Sequence, residues 1–170
     1  MKPFLSIIIP YHNSPSHLVR LLDSIKKSVK APSYEVVIVD DGSTPSLKSF
    51  INTLKWEKSE ALHIVSLSHN HGPAIARNRG VARAKGTFVV FLDGDVELFR
   101  DTLAEIANVF TTDPDVVALT GVWVKEQKSL DFFPNYKALR DWSYWINERD
   151  KSGYYFLFST RIASIKRSVF

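Results

Sequence analysis

Four carboxylates stand just past short apolar runs of this chain: Asp40-Asp41 after residues 34–39, and Asp93-Gly94-Asp95 after residues 87–92. The run 4–9 leads likewise into Pro10-Tyr11-His12-Asn13, and the run 62–67 into His69-Asn70-His71-Gly72. Ligands bind at the carboxyl ends of the strands in an open parallel sheet. If these runs are parallel strands, the four acids share one rim. Acids so close repel, and at least one would be driven toward protonation unless a cation or hydrogen-bond donors compensate. Asp93 and Asp95 lie two residues apart, which on an extended backbone sets them on one face about 6–7 Å apart. That spacing suits a divalent cation with hard oxygen ligands, Mg²⁺ or Mn²⁺, completed by substrate oxygens and water. Read alone, Asp93-Gly94-Asp95 serves equally as a turn followed by a helix cap, and Asp41-Gly42 is a common turn dipeptide.

The segment 70–80 brings Arg77 and Arg79 near the same rim, with free N–H groups at a helix start. Together these suit a diphosphate, or else a solvated helix face. The five histidines include no pair at i, i+3 or i, i+4, and there is no cysteine, so a histidine metal site is not expected.

Several of the runs that must position these residues are almost continuously apolar, which marks strands buried on both faces of a mostly parallel sheet. A fifth run covers residues 116–124. Between the runs lie helix signals. Ser14-Pro15 offers an N-cap and a first-turn proline, followed by Leu18, Leu21, Leu22 and Ile25 at i, i+3, i+4, i+7. Thr44-Pro45 repeats the device before Leu47, Phe50, Ile51 and Leu54. Leu103, Ile106, Ala107 and Phe110 form another stripe, and residues 72–84 form a helix of small residues. The order βαβαβαβαβ predicts a three-layer αβα sandwich with right-handed crossovers.

The 170 residues predict one domain. With 45% hydrophobic and 24% charged residues, disorder, collagen-like repeats and coiled coil are excluded. The absence of cysteine removes disulfides, thiolate zinc sites and cysteine nucleophiles, and fits a reducing, intracellular compartment. A net charge of +4, not gathered into a block, favours anionic ligands without pointing to nucleic acid. No apolar run approaches the ~18 residues of a membrane span, and the N-terminus does not read as a signal peptide. Residues 132–158 hold ten of the 21 aromatics, either as core packing or as a wall for a sugar or lipid acceptor.

Taken together, the pieces resemble the family 2 glycosyltransferases with the GT-A fold. The matching stretches are Ser6-Ile7-Ile8-Ile9-Pro10-Tyr11-His12-Asn13, Val36-Val37-Ile38-Val39-Asp40-Asp41-Gly42-Ser43, the spacing Asn70, Gly72, Ala76-Arg77-Asn78, Gly80, and Gly86-Thr87-Phe88-Val89-Val90-Phe91-Leu92-Asp93-Gly94-Asp95. They stand in the family's order and cover residues 4 to 100. The resemblance implies a nucleotide-diphospho-sugar donor, UDP-linked in most relatives, and a sugar or lipid-linked acceptor. It implies that Pro10, Tyr11 and Asn13 border the nucleoside, with Tyr11 beside the base, and that Asp40, Asp41 or both hydrogen-bond the base or ribose. Arg77 and Asn78 would stand near the phosphates. Asp93 and Asp95 match the family's Asp-x-Asp motif, the second usually on Mn²⁺ or Mg²⁺ and the first usually toward ribose or sugar. Where the family often has a further acid after this motif, the chain has Val96.

The implied reaction is inverting transfer to an acceptor hydroxyl, which needs a general base. In the family that base usually lies beyond a glycine-rich turn following a segment like residues 163–170, so no residue is assigned to it here. The chain is accordingly expected to be the N-terminal part of the catalytic domain, with residues 1–124 binding the nucleotide sugar and 125–170 opening the acceptor side. The expected location is the cytoplasm, open to peripheral association with the inner face of a membrane. Two other readings stand beside this one: a nucleotide-sugar-binding module without turnover, which the missing base would suit, and a metal-dependent phosphotransferase or phosphatase using Asp93 and Asp95, which leaves the other three motifs unexplained.

Overall fold

The computed structural model describes residues 2–51, 56, 62–122, 124, 131–147 and 159–170. Among the described residues six strands form one sheet: β1 (Leu5–Tyr11), β2 (Tyr34–Asp41), β3 (Leu62–Leu67), β4 (Phe88–Leu92), β5 (Ala118–Thr120) and β6 (Ile162–Lys166). Their order is β3-β2-β1-β4-β6-β5. The pairs β1/β2, β1/β4 and β2/β3 are parallel, and β6 runs antiparallel between β4 and β5. The mostly parallel sheet is as expected, with β6 as the addition. That strand was not foreseen because its Ile, Ser and Lys alternate over only five residues inside a basic stretch.

Alternation decides the layers. Ile7 and Ile9 face one core, which also takes Leu18, Leu21, Leu22 and Ile25 of α1 (Pro15–Lys26), Leu47 of α2 (Leu47–Phe50), and Leu103 and Phe110 of a later helix, Thr102–Thr112. Ile8 faces the other, with Val37, Val39 and Phe91, under Ala76 of α3 (Pro73–Arg83). Each such fully buried aliphatic side chain contributes about 1.5–3 kcal/mol. With Thr102–Thr112 as α4 and Phe132–Asn147 as α5, the chain is an α/β fold with helices on both faces of the sheet. α3 lies flush on the sheet because its inner face is small: a Cβ at Gly80 would stand 2.3 Å from Ile8 Cγ2.

Some expected boundaries shift. Ser14 precedes α1, but its hydroxyl donates back to the His12 carbonyl at 2.9 Å instead of capping. Thr44-Pro45 lies outside α2, whose N-cap is Ser46; the cap itself comes from Asp40. The helix ends at Phe50, and Leu54 lies outside the described residues. Among the described residues the run 116–124 contributes only β5, a short edge strand paired with β6, and the Gly121 N–H carries that pairing one step further by donating to the Ile162 carbonyl at 2.8 Å. Of the aromatic cluster, Phe132, Phe133 and Tyr136 are exposed on α5. The side chains of Trp142, Tyr144 and Trp145, and the whole of 148–158, lie outside the described residues.

At the amino end of the strands a buried polar network closes the sheet. Ser6 Oγ donates to Glu35 Oε1 at 2.6 Å and accepts the Gly86 N–H, and the Lys85 N–H also reaches Oε1. His63 Nε2 meets Glu35 Oε2 at 3.3 Å, while Arg83 donates to His63 Nδ1 at 3.1 Å.

Candidate functional site

At the opposite, carboxyl end of β1, β2 and β4 lies a cleft of about 350 Å³, within the range of small-molecule sites. Two of the four acids, Asp40 behind the rim and Asp41 in the lining, tie its loops together. Asp40 is 1% exposed, and its oxygens accept the Ser43 N–H at 3.1 Å and the Leu47 N–H at 2.7 Å. It therefore caps α2 from seven residues upstream, placing an anion at a helix start where free N–H groups favour it. Asp41 accepts the His71 and Gly72 N–H groups, each at 2.8 Å, and so ties β2 to the loop before α3.

Gly42 is required between these two ties. Its φ is +69°, and a Cβ there would stand 2.4 Å from the His69 carbonyl carbon. Glycine alone combines the left-handed backbone with that approach. Asn13 completes the arrangement: its Oδ1 accepts the Thr44 N–H at 2.9 Å and its own N–H donates to Ser43 Oγ at 3.1 Å. The loops after β1, β2 and β3 thus form one cross-tied rim.

The other two acids, Asp93 and Asp95, line the cleft beside Asp41. Arg77, on the second turn of α3, donates to Asp93 Oδ1, and both are largely buried at 14% and 29% side-chain exposure. The Arg77 Nε is buried without a hydrogen-bond partner. Asp93 is fixed from β6 as well, since its N–H donates to the Arg161 carbonyl at 3.0 Å. Asp95 is exposed, and no hydrogen bond or ion pair engages it among the described residues. Compensation of the crowded acids therefore comes from backbone N–H groups at Asp40 and Asp41 and from a guanidinium at Asp93. Asp95 alone is left with a carboxylate in need of a partner.

Such a set fits a hard cation that retains water and substrate oxygens, which one or two carboxylates suffice to hold. It does not resemble an all-protein cage, for the described residues include no group of three or more metal-ligating side chains.

Tyr11 lines the cleft, though the residue is only 4% exposed. Burial first, and then the charge of Asp40, push its phenol above the ordinary value, while a hydrogen bond with the Ser14 backbone acts the other way. His12 Nδ1 carries a hydrogen, because it bonds the Asp41 carbonyl at 2.8 Å. The rings of His69 and His71 stack at 3.9 Å on the adjoining loop.

Of the residues singled out in the sequence, the cleft gathers Pro10, Tyr11, Asp41, Arg77, Asp93 and Asp95. Asp40 and Asn13 stand behind the rim as loop ties, and Asn78 is exposed on α3 outside the lining. The cleft also takes in His12, Ser14, His17, Asn70, Pro73 and Gly94. His12, Ser14 and Gly94 flank residues already singled out, and Asn70 belongs to one of the matching stretches. His17 had only one signal, its place on the first turn of a helix that starts at the rim. A larger apolar cleft of about 420 Å³, lined by the 96–99 segment, α4 and the β5–β6 end, contains none of the candidate site residues.

The profile described as "Glycosyl transferase family 2" matches residues 6–168. The putative teichuronic acid biosynthesis glycosyltransferase TuaG of Bacillus subtilis (strain 168) is 36% identical over 103 residues, 60% of this chain and 40% of the relative. Poly(ribitol-phosphate) beta-N-acetylglucosaminyltransferase TarS of Staphylococcus aureus (strain Mu50 / ATCC 700699) is 34% identical over 104 residues, 60% of this chain and 18% of TarS. Among solved structures, the mannosyltransferase PcManGT from Pyrobaculum calidifontis, in complex with GDP-Man and Mn²⁺, superposes with a TM-score of 0.75 at 26% identity, covering 99% of this chain and 46% of that one. S. aureus TarS 1–349 in complex with UDP-GlcNAc gives 0.63 at 29% identity, over 77% of this chain and 37% of that one. The chain spans less than half the length of each of these proteins.

Proposed function

The chain belongs to glycosyl transferase family 2 and has the GT-A fold, and from that premise we propose that its cleft binds a nucleoside-diphosphate sugar for metal-dependent, inverting transfer to an acceptor hydroxyl. One observation carries the reading: an unengaged carboxylate, Asp95, stands beside the Arg77–Asp93 pair in a cleft at the carboxyl ends of the strands. Support comes from the GDP-Man with Mn²⁺ and the UDP-GlcNAc held by the two structural neighbours.

The nucleoside end of the donor lies along Pro10 and Tyr11, with the base beside the Tyr11 ring. Asp41 lines the cleft and Asp40 does not, so a direct contact to base or ribose falls to Asp41, while Asp40 and Asn13 hold the loops that shape the pocket. Arg77, rather than the outlying Asn78, faces the phosphates. Asp95 carries the cation, and Asp93 stands next to it with one oxygen on Arg77. A bound Mn²⁺ or Mg²⁺ neutralises the charge that gathers on the departing diphosphate.

The acids of the cleft, Asp41, Asp93 and Asp95, all have these other tasks, so no lining residue is assigned as general base. The donor side comprises residues up to 124 together with β6, whose approach at Arg161 fixes Asp93. The acceptor side opens after residue 124. We take the donor as UDP-linked and the acceptor as a sugar or lipid-linked glycan of a polysaccharide or glycoconjugate, handled in the cytoplasm or at the inner face of a membrane. No helix among the described residues is long and apolar enough to cross one.

Titration calorimetry of the folded protein with UDP and with GDP, each with and without Mn²⁺, tests the reading. Binding that requires Mn²⁺ is expected. Absence of heat for both nucleotides in the presence of Mn²⁺ overturns it.

A further inference from the structure

The residues between β4 and α4, 93–101, have no helix or strand to hold them, yet they carry Asp95. On the β6 side the Asp93 N–H holds this loop to the Arg161 carbonyl. Past Asp95, helix α1 and the turn after it hold it. Leu98 N–H donates to Ser24 Oγ at 3.1 Å, Val29 N–H donates to the Arg100 carbonyl at 2.7 Å, and Arg100 Nε reaches the Lys27 carbonyl at 3.4 Å. Arg20 and Glu97 add an ion pair at 3.6 Å whose side chains are 52% and 39% exposed, a kind of contact worth little in water. Val96, between Asp95 and these ties, is buried at 8% exposure. Its side chain packs the loop onto the core, and its N–H donates to the Asp93 carbonyl at 3.3 Å, closing the turn that carries Asp95; the ties of Ser24, Val29 and Arg100 set where that turn sits against α1.

Ser24 is the unusual member. It is a buried hydroxyl, 9% exposed, on the apolar side of α1 beside Leu21, Leu22 and Ile25. Its Oγ donates to the Leu21 carbonyl at 2.7 Å, an ordinary helical back-bond. The hydroxyl then has lone pairs left, and it spends one of them on Leu98, three residues past Asp95. Alanine would satisfy the helix equally well and take the acceptor from the half-buried Leu98 N–H.

We infer that Ser24 is a positioning residue for Asp95: through Leu98 it holds the acid-bearing loop where the cation and diphosphate of the proposed donor meet it. The inference rests on the donor-binding reading above. α1 then serves the site at two places, its first turn lining the cleft through His17 and its last turn holding the metal-side loop from behind.

The test compares wild type, Ser24→Ala, Ser24→Cys and Ser24→Thr by calorimetric titration of Mn²⁺ in the presence of UDP or GDP, by amide hydrogen exchange over 93–101, and by thermal melting. The cysteine keeps the volume and weakens the acceptor, so a folded variant is secured, and the threonine restores the hydroxyl. Ser24→Ala and Ser24→Cys are expected to weaken Mn²⁺-dependent nucleotide binding about tenfold, the scale at which groups supporting a metal ligand act, and to speed exchange at Leu98. Ser24→Thr is expected to recover both. If wild type binds and the alanine and cysteine variants bind equally well, whatever happens to their melting points, the serine is a packing residue only and the inference is overturned. If wild type itself binds neither nucleotide with Mn²⁺, the donor-binding reading falls and this inference falls with it.

Discussion

Arg77 and Asp93, sixteen residues apart in sequence, are bonded side chain to side chain across the gap between α3 and the end of β4. The pair joins a helix on one face of the sheet to the strand that delivers the acid motif. It also explains how Asp93 and Asp95 differ in role despite being near neighbours on one loop: one is neutralised inside the protein, the other is not.

Removing the cation tests that division. Arg77→Ala leaves Asp93 largely buried with a charge that nothing balances, and is expected to lower stability by about 1–3 kcal/mol in urea unfolding as well as weakening nucleotide binding. Arg77→Lys should recover only part of either, because an ammonium lacks the planar fork of the guanidinium. An alanine variant as stable as wild type would mean that the pair contributes nothing to the fold.

Asp95 should behave in the opposite way. Its carboxylate is exposed and unengaged among the described residues, so Asp95→Asn is expected to leave stability within about 0.5 kcal/mol of wild type while abolishing the Mn²⁺ dependence of nucleotide binding. An unchanged response to Mn²⁺ in calorimetry would remove Asp95 from the cation.

For Asp40 the prediction concerns folding. Both of its oxygens accept backbone N–H groups, and an amide side chain keeps only one acceptor. Asp40→Asn should cost about 1–3 kcal/mol, read as a lower urea midpoint. Loss of nucleotide affinity at unchanged stability would instead make Asp40 a contact residue.

The network at the other end of the strands gives a pH dependence. Burial foremost, and then the charge of Arg83, lower the pKa of His63 below its usual 6.5, although Glu35 pulls the other way and Lys85 adds to the lowering. A histidine with a depressed folded-state pKa binds its proton more readily when unfolded, so stability falls as pH drops below about 6.5. Melting between pH 7.5 and 5.5 should show wild type losing more stability than His63→Gln; parallel curves for the two would rule the histidine out as the source.

Much of the cleft was legible because its residues directly follow apolar runs. A strand that ends in Asp40-Asp41 or Asp93-Gly94-Asp95 must deliver those acids to the sheet's rim once the strands are parallel, and four such strand ends imply a shared site. Less legible was what each acid does there. Asp40 and Asp41 look alike in sequence, yet one caps α2 and the other ties down the loop before α3, one hidden behind the rim and one lining the cleft. Nothing in the local sequence separates them, because their hydrogen-bond partners are backbone groups of different loops.

By itself, then, the sequence determined the layers, the parallel core of the sheet and the rim on which chemistry collects, since these follow from hydrophobic period and from residues adjacent in the chain. The insertion of β6 between β4 and β5, the neutralisation of Asp93 by Arg77, and the hold of Ser24 on the loop past Asp95 were decided only by tertiary structure. Each is a pairing between segments far apart in the chain. Such pairings are chosen by which surfaces can be buried together and which buried polar groups then find partners, and that choice is made only when the whole chain has folded.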